Sequence, residues 1–296
     1  MTLQPRAVVV HRTTEYAELV ARHGTRQQAA FFLETRGRGL SEVIERDRSQ
    51  QEARRVVTAG LPADWRRAEV ERTDLARFVF GPEDIVVVVG QDGLVANVAK
   101  YLGGQPVIGV NPEPGRNVGV LVPHPADATS ALLRAAIAGQ RITERTMVEA
   151  TTDSGENLRA LNEVYVGHAS HQSSRYSLRL PSGAGERQSS SGVLIGTGTG
   201  CTGWLRSAWL ERHSTLGLPG AADPALCWFV REAWPSPTTG TELTEGALAD
   251  TESLVLTAES DQLVCFGDGI EHDALTLTWG QRLTVTTSGQ HLRLVG

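Results

Sequence analysis

The chain has 296 residues, with 34 acidic and 28 basic side chains, a net charge of −6 and 40% hydrophobic residues. This composition is typical of a globular protein, and the acidic balance argues against broad binding of nucleic acid or of an anionic membrane. No apolar run approaches the roughly 20 residues that span a bilayer, and residues 1–10 lack the apolar core of a secretory signal. The three cysteines lack CxxC spacing and fit reduced thiols. We therefore expect a cytoplasmic protein with no nucleic-acid or membrane partner and no metal-ligand cluster of its own.

The first part of the chain alternates between strand and helix patterns. The predicted elements are a strand at 7–10, helical structure across 14–59, a buried strand at 85–89, a helix at 94–102 and a strand at 107–110. Residues 85–89 are all β-branched, which is typical of a strand buried on both faces. Leu94, Val98 and Leu102 recur at intervals of four residues and so share one helix face. This order of elements predicts an α/β domain with a parallel sheet.

The rest of the chain changes to strand patterns. After a helix at 130–138, the predicted strands are at 164–166, 176–180, 193–195, 254–257, 263–266, 275–278, 283–286 and 292–295. Several alternate apolar and polar residues, as half-buried antiparallel strands do. The Ser/Gly-rich stretch 181–192 predicts a hairpin loop. We expect an α/β nucleotide-binding domain at residues 1–130 and a mostly antiparallel β domain at residues 131–296.

The loop Gly90-Gln91-Asp92-Gly93 follows the buried strand at 85–89. Ligands of open α/β sheets bind at the carboxyl ends of strands, and glycines let the backbone approach a phosphate closely. Asp92 could hold a metal or accept a proton from a hydroxyl group. The alternative is a tight turn between strand and helix, with Asp92 as the helix cap.

A second glycine-rich loop, Gly196-Thr197-Gly198-Thr199-Gly200-Cys201-Thr202-Gly203, follows the strand at 193–195. Its backbone N–H groups and hydroxyls could surround a ligand. The GxGxxG spacing from Gly198 to Gly203 matches a Rossmann fingerprint, but no clear βαβ unit surrounds it, and the chain has no Gly-Lys-Ser/Thr of a P-loop. The alternative is a glycine-rich hairpin or a strand–helix turn.

Two polar pairs stand next to predicted strands. Asn162-Glu163 precedes a strand, where it could bond ribose hydroxyls or form an ordinary turn. Asp268-Gly269 is most simply a turn between two strands. His168 and His171 have no cysteine or carboxylate at ligand spacing, which argues against a zinc site.

Together and in this order, these motifs resemble those of the NAD kinase family. That family carries Gly-Gly-Asp-Gly-Thr, then Asn-Glu, then Thr-Pro-Thr-Gly-Ser-Thr-Ala-Tyr, and then Asp-Gly in late strands. The resemblance covers about residues 80–296. The chain departs from the family motifs at Gln91, Leu94, Gly198, Cys201, Gly203 and Trp204. It is therefore identified as a divergent member, with Gly-Gln-Asp-Gly-Leu in place of Gly-Gly-Asp-Gly-Thr.

The resemblance implies a two-domain NAD kinase-like architecture with the site in the cleft between the domains. It implies transfer of a phosphoryl group from ATP, with Mg²⁺, to the 2′-hydroxyl of NAD, with Asp92 as the catalytic base. The implied substrate-binding residues are Gly93, Asn162, Glu163, Thr199, Thr202, Gly203 and Ser207. The implied donor phosphate-binding residues are Gly90, Gln91 and Gly93. Membership also implies a homodimer or homotetramer in which subunits complete each other's sites.

Two alternatives stay open at this point. The first is a kinase of the same fold that phosphorylates another nucleoside, sugar or lipid hydroxyl; the Asn-Glu and Thr-x-Thr-Gly motifs favour NAD over these. The second is a catalytically weak NAD(P)-binding sensor, which the altered loop at Gln91 and Leu94 suggests. Binding of NAD without turnover of ATP would distinguish this sensor from a kinase.

Overall fold

The computed structural model of the protein describes residues 4–296. Its α-helices, in chain order, are α1 (Glu15–His23), α2 (Arg26–Glu34), α3 (Leu40–Ala59), α4 (Asp92–Ala99), α5 (Thr129–Ile137) and α6 (Trp204–Glu211). Its strands are β1 (Arg6–His11), β2 (Arg66–Glu71), β3 (Asp84–Val89), β4 (Pro106–Val110), β5 (Ile142–Arg145), β6 (Val148–Thr152), β7 (Asn157–Ala160), β8 (Glu163–His168), β9 (Ser174–Arg179), β10 (Gly185–Ser190), β11 (Gly192–Gly196), β12 (Leu226–Arg231), β13 (Glu245–Leu248), β14 (Leu254–Ala258), β15 (Leu263–Gly267), β16 (Ile270–Leu277), β17 (Arg282–Thr287) and β18 (Leu292–Val295). Short 3₁₀ segments lie at Arg72–Arg77, Ala126–Ala128 and Gly200–Thr202. The chain divides into two compact units, one of residues 4–143 with 293–296 and one of residues 144–292.

The first unit is built on a six-stranded sheet with the order β2-β1-β3-β4-β18-β5. The pairs β1–β2, β1–β3, β3–β4 and β4–β18 are parallel. Every residue of β3 is buried, as the unbroken β-branched run 85–89 predicts for five of its six residues. Apolar side chains of α3 and α5 share a core cluster with β1, β3 and β4, so these two helices cover one face of the sheet.

The arginine-rich stretch 14–59 forms three helices. Thr14 and Thr25 stand at the N-caps of α1 and α2, and their hydroxyls accept the N–H groups of Ala17 and Gln28. Such caps satisfy donors that the first helical turn leaves unpaired. Leu33, with other apolar side chains of α1, α2 and α3, forms a small separate cluster.

Among residues 4–296, no helix combines the length and the apolar character needed to cross a bilayer.

The second unit consists of two six-stranded sheets with the orders β10-β9-β14-β17-β6-β7 and β13-β12-β11-β8-β15-β16. Neighbouring strands of both sheets run antiparallel. Side chains in β6, β14 and β15 alternate between buried and half-buried positions, and the buried ones of both sheets share one core. The predicted fold class, an α/β part followed by a mostly antiparallel β part, is confirmed.

The prediction of a loop at 181–192 is wrong for most of that stretch. After a turn at 181–184, β10 pairs with β9 along its whole length. The polar residues Gln188 and Ser190 are buried, and the Tyr176 hydroxyl lies 3.0 Å from Gln188 Oε1 and 2.8 Å from Ser190 Oγ. Satisfied hydrogen bonds therefore allow two polar side chains of this strand to be buried where composition predicts solvent exposure.

Seven of the strands that the structure describes are not predicted from the sequence: β2, β5, β6, β7, β10, β12 and β13. Among them, β12 has five of its six residues buried. β18 follows the run of β patterns along the chain, but it pairs in parallel with β4 in the sheet of the first unit. Its apolar pattern indicates a strand without indicating the sheet, because pairing over such a separation depends on the tertiary fold.

Candidate active site

The predicted donor residues Gly90, Gln91 and Gly93 lie at the end of β3 in the first unit. The Gly90 N–H donates to the carbonyl of Val110 at 3.0 Å and so ties the loop to β4. A Cβ on Gly90 would lie 2.9 Å from Cδ2 of Leu94, whereas a Cβ on Gly93 would meet no atom of residues 4–296 within 4 Å. Gln91 and Gly93 are exposed. The outer side of this loop therefore leaves space at the start of α4, where backbone N–H groups suit an anion.

Asp92 does not cap α4. The N-cap position belongs to Gln91, and Asp92 is the first helical residue. Its carboxylate accepts the backbone N–H groups of Val120 (3.0 Å), Leu121 (2.7 Å) and Val122 (3.1 Å). The capping alternative is therefore wrong, and this side chain anchors a segment that follows β4.

Two glycines let this segment approach β4 closely. A Cβ on Gly109 would lie 1.9 Å from the carbonyl oxygen of Leu121, so the strand and the segment could not both keep their positions. Gly119 has a φ of +71°, which favours glycine, and a Cβ there would lie 2.7 Å from the carbonyl oxygen of Val122. The same segment that Asp92 anchors is thus fitted tightly against the sheet.

The two departures from the family loop occupy different environments. The Gln91 side chain is exposed, and its Nε2 lies 3.4 Å from Oδ1 of Asn117. Leu94 is buried, at 6% exposure, with its side chain against Gly90. A change at Gln91 therefore alters the surface of the loop, while a change at Leu94 alters its packing.

In the second unit, Asp268 ties the Asn162-Glu163 pair to the turn between β15 and β16. Its carboxylate accepts the N–H groups of Leu161 and Asn162, both at 2.8 Å, and its own N–H donates to the Glu163 carbonyl at 3.1 Å. Asp268 has a φ of +52° and Gly269 a φ of +69°, as a tight two-residue hairpin requires. The Asp-Gly pair is a turn, as the sequence predicts, and it also orders the backbone of the Asn-Glu pair.

Thr197 connects the same pair to the second glycine-rich loop. Its N–H donates to the Asn162 carbonyl at 2.9 Å, and its hydroxyl donates to the Leu161 carbonyl at 2.6 Å. That hydroxyl oxygen also accepts the N–H groups of Thr199 at 3.1 Å and Gly200 at 3.3 Å. Three motifs that lie far apart in the chain therefore form one hydrogen-bonded network.

The glycines of this second loop are required by close contacts. A Cβ on Gly196 or on Gly200 would lie 2.3 Å from the Asn162 carbonyl oxygen. A Cβ on Gly198 would lie 2.0 Å from the carbonyl oxygen of Gly220. The family motif has proline at the position of Gly198, and here the neighbouring backbone leaves no room for its ring.

The remaining predicted residues of this loop differ in exposure. Thr199 is buried at 2% exposure, and its hydroxyl oxygen has no hydrogen-bond partner among the described residues. Thr202 is an exposed residue, and its hydroxyl donates to the Thr199 carbonyl at 2.9 Å. Gly203 and Ser207 are exposed, and Ser207 lies on α6 with its N–H bonded to the Gly203 carbonyl. A buried polar group without a partner is costly, so the Thr199 hydroxyl is a candidate contact for a ligand.

Glu163 is a buried carboxyl group, at 8% exposure. Burial raises the pKa of Glu163 to about 8, and the negative charge of Asp268 and the Cys201 thiol add to the shift. At neutral pH the group is therefore mostly protonated. A neutral carboxylic acid can donate a hydrogen bond as well as accept one, which suits the hydroxyls of a sugar.

An aromatic group lies beside this network, and two of its members, Tyr165 and Phe266, are not singled out by the motifs. Tyr165 of β8 stacks on Trp204 with ring centroids 5.6 Å apart, and it contacts Phe266 at 5.1 Å. The guanidinium of Arg231 lies 5.4 Å from the Trp204 ring centroid. Trp204 is 37% exposed. The signal in the sequence is that Trp204 occupies an aromatic position of the family motif, which predicts a ring at this point.

The predicted residues thus divide between the units. Asp92, Gly90, Gln91 and Gly93 belong to the first unit, and Asn162, Glu163, Thr199, Thr202, Gly203 and Ser207 to the second.

Within residues 4–296, no group of three or more His, Cys, Asp or Glu side chains could hold a metal ion. Both carboxylate oxygens of Asp92 are already engaged by backbone N–H groups.

Comparison with known proteins finds relatives by sequence and by fold. No family model matches the chain. A protein named NAD kinase from Chlorobaculum tepidum is 25% identical over 230 residues, which cover 76% of this chain and 74% of that protein. Another protein of that name, from Geobacter metallireducens, is 31% identical over 133 residues, which cover 42% of this chain and 46% of that protein. A crystal structure of an NAD kinase from Archaeoglobus fulgidus in complex with ATP matches with a TM-score of 0.56 and 16% identity, over 98% of this chain and 93% of that one.

Proposed function

Because the chain belongs to the NAD kinase family of phosphotransferases, we propose that it transfers a phosphoryl group from ATP to the 2′-hydroxyl of the adenosine ribose of NAD, giving NADP. The family membership expected from the motifs is confirmed by the matches in sequence and fold. The identity of the donor and of the acceptor in this protein is our proposal.

The observation that carries the proposal is the network of the second unit. Asn162-Glu163, the loop around Thr199 and the Asp268 turn are the family motifs in the family order, and hydrogen bonds through Thr197 and Asp268 connect them. Such a network holds each group in one orientation before the substrate arrives, and positioning of this kind supplies much of the rate enhancement in phosphoryl transfer.

On the acceptor side, the polar groups suit the dinucleotide. We propose that the Thr199 hydroxyl and the protonated Glu163 carboxyl bond ribose hydroxyls. The first lacks a partner within the described part of the chain, and the second can both donate and accept. Asn162 supplies an amide, and Thr202, Gly203 and Ser207 supply an exposed edge of hydroxyls and backbone.

On the donor side, we propose that the backbone at Gly90, Gln91 and Gly93 receives the phosphates of ATP. The open space beside Gly93 and the start of α4 support this role. Asp92 is the proposed base or orienting group for the 2′-hydroxyl. Its three backbone bonds keep the carboxylate in a fixed orientation.

The described residues do not build a magnesium cage of their own. Mg²⁺ in proteins is commonly bound through one or two carboxylates together with substrate phosphates. We therefore propose that Mg²⁺ would arrive together with the phosphates of ATP.

Incubation of the purified protein with NAD, ATP and Mg²⁺, followed by mass spectrometry of the nucleotides, tests the proposal. We expect a product heavier than NAD by one phosphoryl group, and fragmentation that places the new phosphate on the adenosine ribose. NADH, a nucleoside and a sugar in parallel reactions define the acceptor. Product from one of these and none from NAD would contradict the proposed acceptor.

A catalytically weak NAD(P)-binding sensor is the second candidate. Two observations favour it: the Asp92 carboxylate already accepts three backbone N–H groups, and its neighbour Gln91 departs from the family glycine. Calorimetric binding of NAD without formation of NADP would support this function.

The expected homodimer or homotetramer and the cytoplasmic location remain predictions. Light scattering of the purified chain measures its molar mass in solution and so tests the oligomeric state.

A further inference from the structure

Two of the three cysteines face each other within the second unit. Cys201 lies in the 3₁₀ segment of the second glycine-rich loop, and Cys227 lies on β12, directly opposite Gly196 in the register with β11. Their sulfur atoms are 3.4 Å apart, although 26 positions separate them in the chain. A disulfide has a sulfur–sulfur distance of about 2.05 Å, so the two atoms need to approach by only about 1.4 Å.

We propose that Cys201 and Cys227 form an oxidisable thiol pair, which a hydroperoxide converts into an intramolecular disulfide. This site goes beyond the proposed kinase function, and its test requires neither NAD nor ATP. The third cysteine, Cys265, lies on β15 and is wholly buried. The rate at which the Cys265 thiol is oxidised can therefore be compared with that of Cys201 in the same molecule.

The surroundings of the two thiols assign them different roles. Cys201 is partly exposed, whereas Cys227 is fully buried in the cluster that α6 forms against β11 and β12. Hydrogen bonding with Cys227 and the charge of Arg206 lower the pKa of the Cys201 thiol, against the effect of burial. The same hydrogen bond and burial raise the pKa of Cys227. Reactive cysteines are typically partly exposed and close to positive charge, so Cys201 is the residue that meets the oxidant.

The chemistry takes two balanced steps. The Cys201 thiolate attacks one oxygen of the hydroperoxide, the O–O bond breaks, and Cys201 becomes a sulfenic acid while hydroxide or alkoxide leaves and takes up the thiol proton. The sulfur of Cys227 then attacks the Cys201 sulfur; the S–O bond breaks, and the hydroxide leaves as water with the Cys227 proton. Two electrons pass from the two sulfurs to the peroxide. A dithiol reverses the reaction by exchange.

The disulfide would tie the segment Gly200–Thr202 to β12. Cys201 lies between Thr199 and Thr202, and its N–H already donates to the Thr197 carbonyl at 3.1 Å. Movement of its sulfur toward β12 therefore acts on the loop that carries the hydrogen-bonded network described above. A buried strand such as β12 moves less readily than a 3₁₀ segment, so the displacement falls mainly on the loop.

Peptide mapping identifies the bond directly. Cleavage after arginine places the three cysteines in separate peptides, 188–206, 213–231 and 232–282. The reduced, folded protein is treated with hydrogen peroxide, free thiols are blocked, and the intact mass and the non-reduced peptides are measured. We expect a mass loss of about 2 Da that dithiothreitol reverses, and a linked pair of the first two peptides.

Variants separate the two roles. Cys265→Ser should form the disulfide at the wild-type rate. Cys227→Ser should accumulate a sulfenic acid on Cys201 that a 1,3-diketone traps, and Cys227→Ala, checked by circular dichroism, repeats the test with a different side chain. Peptide 188–206 should lose its free thiol about tenfold faster than peptide 232–282 in the wild type.

Three outcomes would overturn the proposal. The first is oxidation of Cys201 to oxygen adducts in the wild type without loss of the two hydrogens. The second is a disulfide that joins Cys265 or two separate chains. The third is formation of the linked peptides only after the protein is unfolded.

Discussion

Two aspartates, one in each unit, perform a similar structural task in different surroundings. Asp92 accepts three backbone N–H groups from residues 120–122, and Asp268 accepts two from Leu161 and Asn162. Around Asp92, the neighbours Gln91 and Gly93 are exposed, and Gly93 has open space where a side chain would be. Around Asp268, the adjacent loop has glycines whose Cβ atoms would strike backbone.

This difference bears on two of the positions where the chain departs from the NAD kinase motifs. The first loop can change at Gln91 because that side chain faces solvent and displaces no neighbour. In the second loop, the change from proline to Gly198 accompanies a carbonyl of Gly220 that occupies the space of a side chain.

The largest effect is expected from Asp92→Asn. If Asp92 is the base, kcat should fall by roughly 10²- to 10⁴-fold, since that is the usual contribution of a positioned general base. The substituted side chain would also have an NH₂ group in place of one carboxylate oxygen, so one N–H group of residues 120–122 would lose its acceptor. This should lower the free energy of unfolding by about 1–3 kcal/mol. Steady-state kinetics and denaturant unfolding separate the two effects.

Asp127→Asn serves as the control for Asp92→Asn, because Asp127 is an exposed carboxylate in a 3₁₀ segment of the same unit. It should change neither kcat nor stability. A variant Asp92→Asn that loses stability but keeps more than about half of the wild-type kcat would leave Asp92 with the anchoring role alone.

The next effect contrasts glycines of the two loops. Gly200→Ala should destabilise the protein by about 1–3 kcal/mol or more, because its Cβ would lie 2.3 Å from the Asn162 carbonyl oxygen. Gly93→Ala should be neutral or stabilise by up to about 1 kcal/mol, because its Cβ would meet no atom of the described chain and the residue is helical. Urea denaturation measures both. Equal effects on stability would remove the distinction between a crowded and an open loop.

The buried carboxyl of Glu163 makes stability depend on pH. Its pKa is raised from 4.5 to about 8, so the folded state holds a proton that the unfolded state has released between these values. Its contribution therefore makes the protein less stable as pH rises from about 4.5 to about 8, by an amount on the order of a few kcal/mol. Glu163→Gln should flatten this dependence and raise Tm above that of the wild type at pH 8.5.

Thermal unfolding between pH 5 and 9 measures the effect, with Glu271→Gln, an exposed glutamate on β16, as the matched control. An unchanged slope in Glu163→Gln would show that the carboxyl is already ionised at neutral pH. An ionised carboxylate has no proton to donate, so this result would contradict the proposed hydrogen bond from Glu163 to a sugar hydroxyl.

The smallest effect is expected from Gln91→Gly. Removal of an exposed side chain should change the KM for ATP severalfold and leave the affinity for NAD within about twofold, since glycine lets the backbone approach phosphate. The second reversion to the family loop, Leu94→Thr, should not be combined with Gln91→Gly in this test. The threonine would lose the packing of the buried Leu94 side chain against Gly90. An altered affinity for NAD alone would contradict the assignment of the donor phosphates to this loop.

Much of the architecture follows from local pattern in the sequence. The unbroken β-branched run of β3 identifies its element directly, because this pattern depends only on near neighbours. The motif order likewise indicates the family. Polar strands such as β10 cannot be recognised from local pattern, because the burial of Gln188 and Ser190 depends on hydrogen bonds to other strands and loops, among them those with Tyr176.

The sequence by itself determined the change from α/β to β patterns, the loops that carry the motifs and the residue types in them. Only the tertiary structure decided that β18 joins the first sheet, that Asp92 anchors residues 120–122, and that Cys201 meets Cys227. Periodicity and turn chemistry act over a few residues and can be recognised in a single chain. Contacts across 26 positions or more depend on how sheets pair and pack, because many partners satisfy the same local pattern and the complete fold selects one.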